Sequence, residues 1–490
     1  MNTFVSKYNQ QMKSIKKTKI VATLGPATTS YTTKLKMVQK GVNVFRINFS
    51  HADYKNVKED VKQIKKIRKE LEIAIAILAD LQGPKLRIGK VEEGTFLNKG
   101  DIFTFSTSQK IITNNQNKTA YINYKQLPLE VKVGEIILID DGKIQLKVIE
   151  TNLKDTIITK VVEGGVLNSK KGVNLPNTNV SIPSLTKKDK KDLKFAIELK
   201  VDWIALSFVR SEKDIIEIKR FIQEHSDYQI PIIAKIEKPE AIDKIDKIII
   251  ETDGIMVARG DLGIEIPLEE VPLVQKKLVY IAKAHQKPVI IATQMMESMI
   301  NNVIPTRAEV NDVANSVMDG ADAVMLSGET SIGKNPIEVI KNVSKIIKKV
   351  ENSKLIKTPE TYPIPENRGE RFISQITCAN ASKIAKDVSA NIISTFTASG
   401  FSAYKISARR PESNILVFTA NKRILNSMAL LWGVFPFYYN KILSTDATIN
   451  DIEKIACKKG FLKKNDIMVS VLSMPISKKG MVNTIRITQI

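Results

Sequence analysis

The sequence predicts an α/β fold built on a (β/α)8 TIM barrel, with an inserted all-β lid domain and a C-terminal α/β domain. Three observations carry this. Eight short β-rich runs, each ending in glycine or polar residues, alternate with helical patterns. The alternation breaks once, where runs of period two and turn residues take over. A proline-rich polar stretch, TPETYPIPENRGE, then sets a further group of β runs apart from the rest.

Taken in order, residues 1–18 read as an N-terminal extension. The barrel runs begin with KIVATLG at Lys19, VNVFRINFS at Val42, IAILADLQG at Ile75 and WIALSFVR at Trp203. They continue with PIIAKIE at Pro231, GIMVARGD at Gly254, PVIIATQMM at Pro288 and AVMLSGET at Ala323. Residues 19–88 and 181–355 are therefore assigned to a barrel catalytic domain, with an open doubly wound sheet as the alternative. Segments such as VKVGEIILIDDGKIQLKVIE place an inserted β-barrel lid domain over residues 89–180, above the face where the strand ends gather. Residues 356–490 form a C-terminal α/β regulatory domain with runs NIISTFT, NILVFTAN, VFPFYYN, IMVSVLS and NTIRITQI. The first of these passes through Thr395, Thr397, Ser399, Gly400 and Ser402 into a helix. That arrangement is either an anion site at a helix N-terminus or a plain cap and turn.

The formal charge of +23 raises nucleic acid as a partner, but the basic residues are mostly lysines scattered through helical stretches such as VIKNVSKIIKKV. They read as solvated faces, and no aromatic-interleaved basic stripe accompanies them. Two cysteines, Cys378 and Cys457, are too few for a disulfide scaffold. The first residues lack the apolar core of a signal peptide, and no run of eighteen apolar residues follows. A cytoplasmic protein with no membrane and no nucleic-acid partner is expected.

Charge at strand ends carries the chemistry. Lys235 and Glu237 close one run, Arg259, Gly260 and Asp261 the next. A strand buried on both faces has no use for such groups unless its end opens into a site. Two carboxylates suit a divalent cation and the ammonium suits phosphate oxygens, so phosphoryl transfer is the first class to consider. Arg46, Asn48 and Ser50 alternate along the second run, and are expected to share a side while Val44, Ile47 and Phe49 pack elsewhere. His51 follows, and each of these alone could be a structural hydrogen-bonder. The third run adds Asp80, Lys85 and Arg87 around Gly83-Pro84, and the seventh adds Thr293 and Gln294. A near-match to a phosphate-binding loop at Gly328–Lys334 fails at Asn335, where Ser or Thr is needed.

The strings TKIVATLGPAT, GVNVFRINFSH, LADLQGPKLR, SKKGVNLP, AKIEKPEAI, DGIMVARGDLGIEIP, ATQMMESM, PTRAEVNDVAN and GADAVMLSGET resemble the pyruvate kinases. The resemblance implies transfer of the phosphoryl group of phosphoenolpyruvate to ADP, giving pyruvate and ATP. It makes Lys235 similar to the lysine that stabilises the moving phosphoryl group, and Glu237 and Asp261 similar to the ligands of substrate-bound Mg2+. Arg46 resembles the phosphate-holding arginine, while Gly260, Asp261 and Thr293 lie where the family cradles the substrate carboxylate. Thr293 also falls near the enolate face. Asn48, His51, Arg87 and Lys171 resemble nucleotide contacts, with a second Mg2+ arriving with ADP.

Many members also bind potassium near the positions of Asn48, Ser50, Asp80 and Leu81, and carry Glu where this chain has Lys85. The segment here resembles the potassium-independent bacterial branch, in which a lysine ammonium takes the place of the ion, so K+ is not expected to be required. The 395–402 loop falls where the family binds phosphorylated effectors. Phe401 departs from the basic residue common there, which puts sugar bisphosphate binding in doubt and sets a monophosphate effector, or none, on an equal footing with it. A homotetramer is a further implication. Two other readings are a Mg2+-dependent barrel enzyme of phosphoenolpyruvate or pyruvate carbon-carbon chemistry, and a basic RNA-binding protein without activity.

Overall fold

The computed structural model describes residues 16–108, 111–353, 369, 371–441, 444–474 and 481–490. Most of the expected N-terminal extension, and all of the expected linker but Gly369, lie outside these.

Eight parallel strands close into a barrel: β1 (Lys19–Thr23), β2 (Val44–Asn48), β3 (Ala76–Asp80), β4 (Trp203–Leu206), β5 (Ile232–Ile236), β6 (Gly254–Ala258), β7 (Val289–Ala292) and β8 (Ala323–Leu326). Each pairs with its sequence neighbours, and β8 returns to β1. Side chains alternate between two cores. Val21, Val44, Leu78, Trp203, Ile233 and Met256 fill the interior, while Phe45, Ile47, Ile77 and Ile204 face the surrounding helices. Val44 therefore sits on the Arg46 face, not with Ile47 and Phe49 as the sequence reading had it. The period of two leaves residues 44 and 46 no other choice.

The helices follow the same logic. In Tyr54–Leu71, Asp53 caps the first turn by accepting from Asn56 N at 3.0 Å, and Val57, Val61, Ile64 and Ile67 form the buried stripe. The near-miss loop at Gly328 folds as one helical turn, Gly328–Ser331.

Between β3 and β4 the chain builds a six-stranded sheet with its own core around Phe103, Phe105, Ile137 and Leu146. Its outer strands are Thr119–Tyr121 and Val173–Asn174. Arg87 bridges Gly172 beside one edge and Ile88 bridges Ile122 beside the other, so the segment leaving β3 straps the two together.

The last sheet holds β9 (Ile392–Phe396), β10 (Asn414–Thr419), β11 (Val434–Tyr438), β12 (Ile467–Leu472) and β13 (Thr484–Gln489), in the order β11-β10-β9-β12-β13. Only β13 runs antiparallel to its neighbour. This unit packs on the barrel's lower end, where strands begin. Ala429 and Leu430 join the interior core there, and the Trp203 indole N–H donates to Ser427 O at 2.9 Å.

Asp322, just before β8, is the ionic hub of that junction. It accepts from Val289 N at 2.9 Å and from Lys283, and pairs with Arg410 at 3.1 Å, all buried. Asp322→Asn should lower stability by roughly 3–5 kcal/mol, because two buried cations lose their counter-charge. Thermal unfolding reads this as a midpoint several degrees lower, and an unchanged midpoint would count against the hub.

Candidate active site

At the opposite end, where strands finish, β2, β3 and β5 bring three charges together. Asp80 is buried and lies between two cations: Oδ2 accepts from Arg46 Nε at 2.6 Å, and Oδ1 is 3.3 Å from Lys235 Nζ. Burial alone would raise the Asp80 carboxyl, but Lys235 and Arg46 outweigh it and hold it below the usual range. Arg46 also donates to Thr23 Oγ1 at 3.0 Å from the end of β1. Lys235 donates to Ser207 Oγ at 2.6 Å, and Ser207 passes a bond on to Leu81 O at 2.7 Å. Burial would lower Lys235, yet Asp80 and Glu237 hold it well above the ordinary lysine value, so it stays an ammonium.

Glu237 completes the cluster. Its Oε2 accepts from Phe208 N at 2.7 Å, with Phe208 held at φ +54°. Its Oε1 is 2.9 Å from Lys235 Nζ but meets no aligned donor. Burial and the nearby Asp261 push Glu237 up while Lys235 opposes them. Two hard carboxylates of this kind, one with an unsatisfied buried oxygen, fit Mg2+. That ion takes one or two protein carboxylates and completes its shell with water and substrate oxygens. No cluster of three His, Cys, Asp or Glu that could cage a metal occurs among the described residues.

Next to this pair the backbone is strained. Thr293 and Gln294, just past β7, adopt φ of +70° and +55°, unusual for a β-branched residue. Arg259 holds the turn: its Nη2 donates to Thr293 O at 2.7 Å, and the guanidinium forks onto Asp312 at 2.6 and 2.7 Å. Thr293 Oγ1 is thereby placed to accept from Gly260 N at 2.7 Å.

Lys85 crosses the mouth to Asp261, Nζ to Oδ1 3.6 Å, with both side chains about one-third exposed. Its stem runs close to Gly172 of the insertion, where a Cβ would sit 3.3 Å from Lys85 Cε. A second tie between insertion and barrel is Glu265, which accepts from Asn174 Nδ2 at 2.8 Å and Lys238 Nζ at 2.7 Å.

The structure thus joins Arg46, Asp80, Lys235 and Glu237 in one set of contacts and Lys85, Gly260, Asp261 and Thr293 in a second, with the Asp261 charge acting on Lys235 and Glu237. The other expected residues keep local partners. Asn48 Oδ1 accepts from Ser50 N at 3.1 Å, Arg87 donates to Lys170 O at 3.0 Å, Lys171 pairs with Asp140 at 2.8 Å, and His51 is exposed. Leu81 is buried behind the cluster. Sequence reasoning passed over Thr23 and Ser207, although both stand at run ends where the polar-terminus rule already applied. In the C-terminal unit the Thr395 and Ser402 hydroxyls bond each other at 2.9 Å, and Thr397 Oγ1 accepts from Gly400 N at 2.9 Å. Ser399 is exposed, and Phe401 lies beneath Arg371 and Lys405 at 4.9 and 5.2 Å.

Residues 15–340 match the family described as pyruvate kinase, barrel domain, and residues 375–488 match pyruvate kinase, alpha/beta domain. The chain belongs to the pyruvate kinase family. It is 41% identical over 473 residues to the pyruvate kinase of Corynebacterium efficiens, covering 96% of this chain and 97% of the relative. Identity to the pyruvate kinase of Thermotoga maritima is 40% over 479 residues, 97% of this chain and 100% of the relative. That of Clostridium perfringens is 39% identical over 485 residues with the same coverage. It is an enzyme of phosphoryl transfer, in a family that requires Mg2+. No helix among the described residues is long and apolar enough to cross a membrane.

Ser207→Ala should remove one of the contacts that aim Lys235 and lower kcat/KM about tenfold, the scale of one hydrogen bond to a charged group. Steady-state kinetics check it, with Ser207→Thr expected to recover most of the loss.

Proposed function

We propose that the cluster bridged by Asp80 performs the transfer from phosphoenolpyruvate to ADP, with roles divided as follows. Arg46, oriented by Asp80 and Thr23, binds the phosphate. Lys235 neutralises the phosphoryl group as the bond from phosphorus to the C2 oxygen breaks and the ADP β-phosphate oxygen takes its place. Glu237 and Asp261 would hold the substrate's Mg2+, which would supply positive charge to offset that of the anionic substrate. Gly260, Asp261 and Thr293 seat the carboxylate, and Thr293 faces the enolate whose C3 takes up a proton to give pyruvate. Asn48, His51, Arg87 and Lys171 face the nucleotide, which brings a second Mg2+.

A loose transition state leaves the protein positioning and charge neutralisation to do. The observation that carries this division is the single buried carboxylate shared by Arg46 and Lys235 beside Glu237. Lys235→Met should lower turnover by on the order of 10²–10³, as loss of a preorganised electrostatic donor does. Phosphoenolpyruvate-dependent ATP formation in a coupled assay measures it, and near-normal turnover in the purified variant would sink the role. The same assay on the wild type separates this reaction from carbon-carbon chemistry.

Lys85 supplies the charge that potassium brings elsewhere. Its ammonium stands at the mouth, while both oxygens of Asp80 face protein cations. Activity without potassium is therefore expected in tetramethylammonium-balanced buffer, and Lys85→Glu should introduce a potassium requirement. Strict dependence of the wild type on added potassium would overturn this reading. The 395–402 loop is proposed as the site of any phosphorylated effector, with Phe401 counting against a sugar bisphosphate, in a cytoplasmic homotetramer.

A further inference from the structure

None of the proposed catalytic roles uses Glu265, yet its side chain is only 1% exposed. It ends the helix Arg259–Glu265, one turn beyond Asp261 on the same short element. Its Oε1 is shared by two donors from distant parts of the chain, Lys238 Nζ at 2.7 Å and Asn174 Nδ2 at 2.8 Å. Asn174 is buried as well, and Glu265 Oε2 meets no donor among the described residues. Loss of either donor would therefore leave this carboxylate with one partner.

The three residues stand next to different parts of the mouth. Lys238 follows Glu237 directly, and Glu265 shares its helix with Asp261. Asn174 belongs to the insertion strand Val173–Asn174, three residues after Lys171. That strand is bonded to the segment carrying Arg87: Val173 N donates to Leu86 O at 3.0 Å, and Ile88 N donates to Lys171 O at 3.0 Å. The Glu265 carboxylate thus joins the backbone of both Mg2+ candidates to the backbone of Arg87 and Lys171. Apolar side chains could hold insertion and barrel together equally well, since a buried ion pair is often no more stable than hydrophobic packing of the same volume. Charge-assisted hydrogen bonds add a fixed distance and direction. The other bridge across the mouth, Lys85 to Asp261, is longer at 3.6 Å and about one-third exposed, so it constrains the geometry less.

We infer that Glu265 and Asn174 are a positioning pair for the nucleotide, given the roles proposed for Arg87, Lys171, Glu237 and Asp261. The pair sets the register of Arg87 and Lys171 against the metal side, and with it the approach of the ADP β-phosphate oxygen to the phosphoryl group. Transfer tolerates little error there, since a misplacement of about 1 Å costs on the order of 10² in rate. The phosphate of phosphoenolpyruvate is held by separate contacts, Arg46 oriented by Asp80 and Thr23. Loss of the tie through Asn174 therefore acts on ADP and spares phosphoenolpyruvate.

Two variants of the full-length enzyme test the pair while keeping the contact between Glu265 and Lys238. Asn174→Ala removes the donor, and Asn174→Asp keeps the shape but sets a second carboxylate against Glu265. ADP and phosphoenolpyruvate, each with Mg2+, are titrated calorimetrically and separately. ADP should bind about tenfold more weakly to Asn174→Ala, the scale of one hydrogen bond to a charged group, and more weakly still to Asn174→Asp. Phosphoenolpyruvate affinity should stay within about twofold of the wild type in both, and the KM values should split in the same way. Unchanged ADP affinity, or an equal loss for the two ligands, overturns the assignment. Hydrogen exchange over residues 86–88 and 171–174 of the ligand-free variants should be faster than in the wild type, and equal rates would also refute it. Absence of ATP formation by the wild type would instead overturn the phosphoryl-transfer reading, with the split in affinities still deciding the role of the pair.

Discussion

Asp80 is the constraint on which the site depends. Arg46 and Lys235 project from β2 and β5 into one small space, and two cations there repel strongly in a low dielectric. A single buried carboxylate between them removes the repulsion and fixes both heads, through separate oxygens at 2.6 and 3.3 Å. With Glu237 beside Lys235, and Lys85 facing Asp261, three cations stand with three carboxylates. In a balanced cluster the mutual attraction and hydrogen bonds offset the cost of desolvating each ion, and the cluster can accept an anionic substrate and a divalent cation together with little change in net charge. A strongly basic chain thereby keeps a neutral active site.

Geometry at that site is held by backbone conformations that folding alone would not choose. Phe208, Thr293 and Gln294 all adopt positive φ at strand ends, at a cost of order 1–3 kcal/mol each. Each strained turn has an ionic keeper. Glu237 accepts from the Phe208 amide, and Arg259, forked onto Asp312, holds the Thr293 carbonyl. The keepers are themselves part of the site or next to it, so the charges that suit the substrate also stabilise the turns that present them.

The barrel was legible because its strands are buried on both faces, which leaves charged termini as conspicuous interruptions. Lys235, Glu237 and Asp261 stood out for that reason. Ser207 and Thr23 did not, since a hydroxyl after an apolar run looks the same whether it orients a lysine or merely caps a turn. The face of Val44 was misjudged although strict alternation places it beside Arg46. Two facts have no sequence signal at all: Lys85 meeting Asp261 across the mouth, and a threonine driven to positive φ against its own preference. Both arise from tertiary contacts between segments more than thirty residues apart.

The excess of lysine bears a second reading once the fold is known. In VIKNVSKIIKKV the lysines do occupy one helical face opposite the buried Val343 and Ile347, as a solvated face should. That face, however, turns toward the C-terminal sheet, where Lys16, Lys19, Lys40 and Lys459 meet it around a common space. A compositional drift toward lysine would spread charge over open surface, where it costs little. Lys16 and Lys19, at 8% and 1% exposure without a carboxylate partner among the described residues, are accommodated differently: burial lowers their basicity, carbonyl oxygens accept from both, and the Phe435 ring lies 4.6 Å from the Lys19 ammonium.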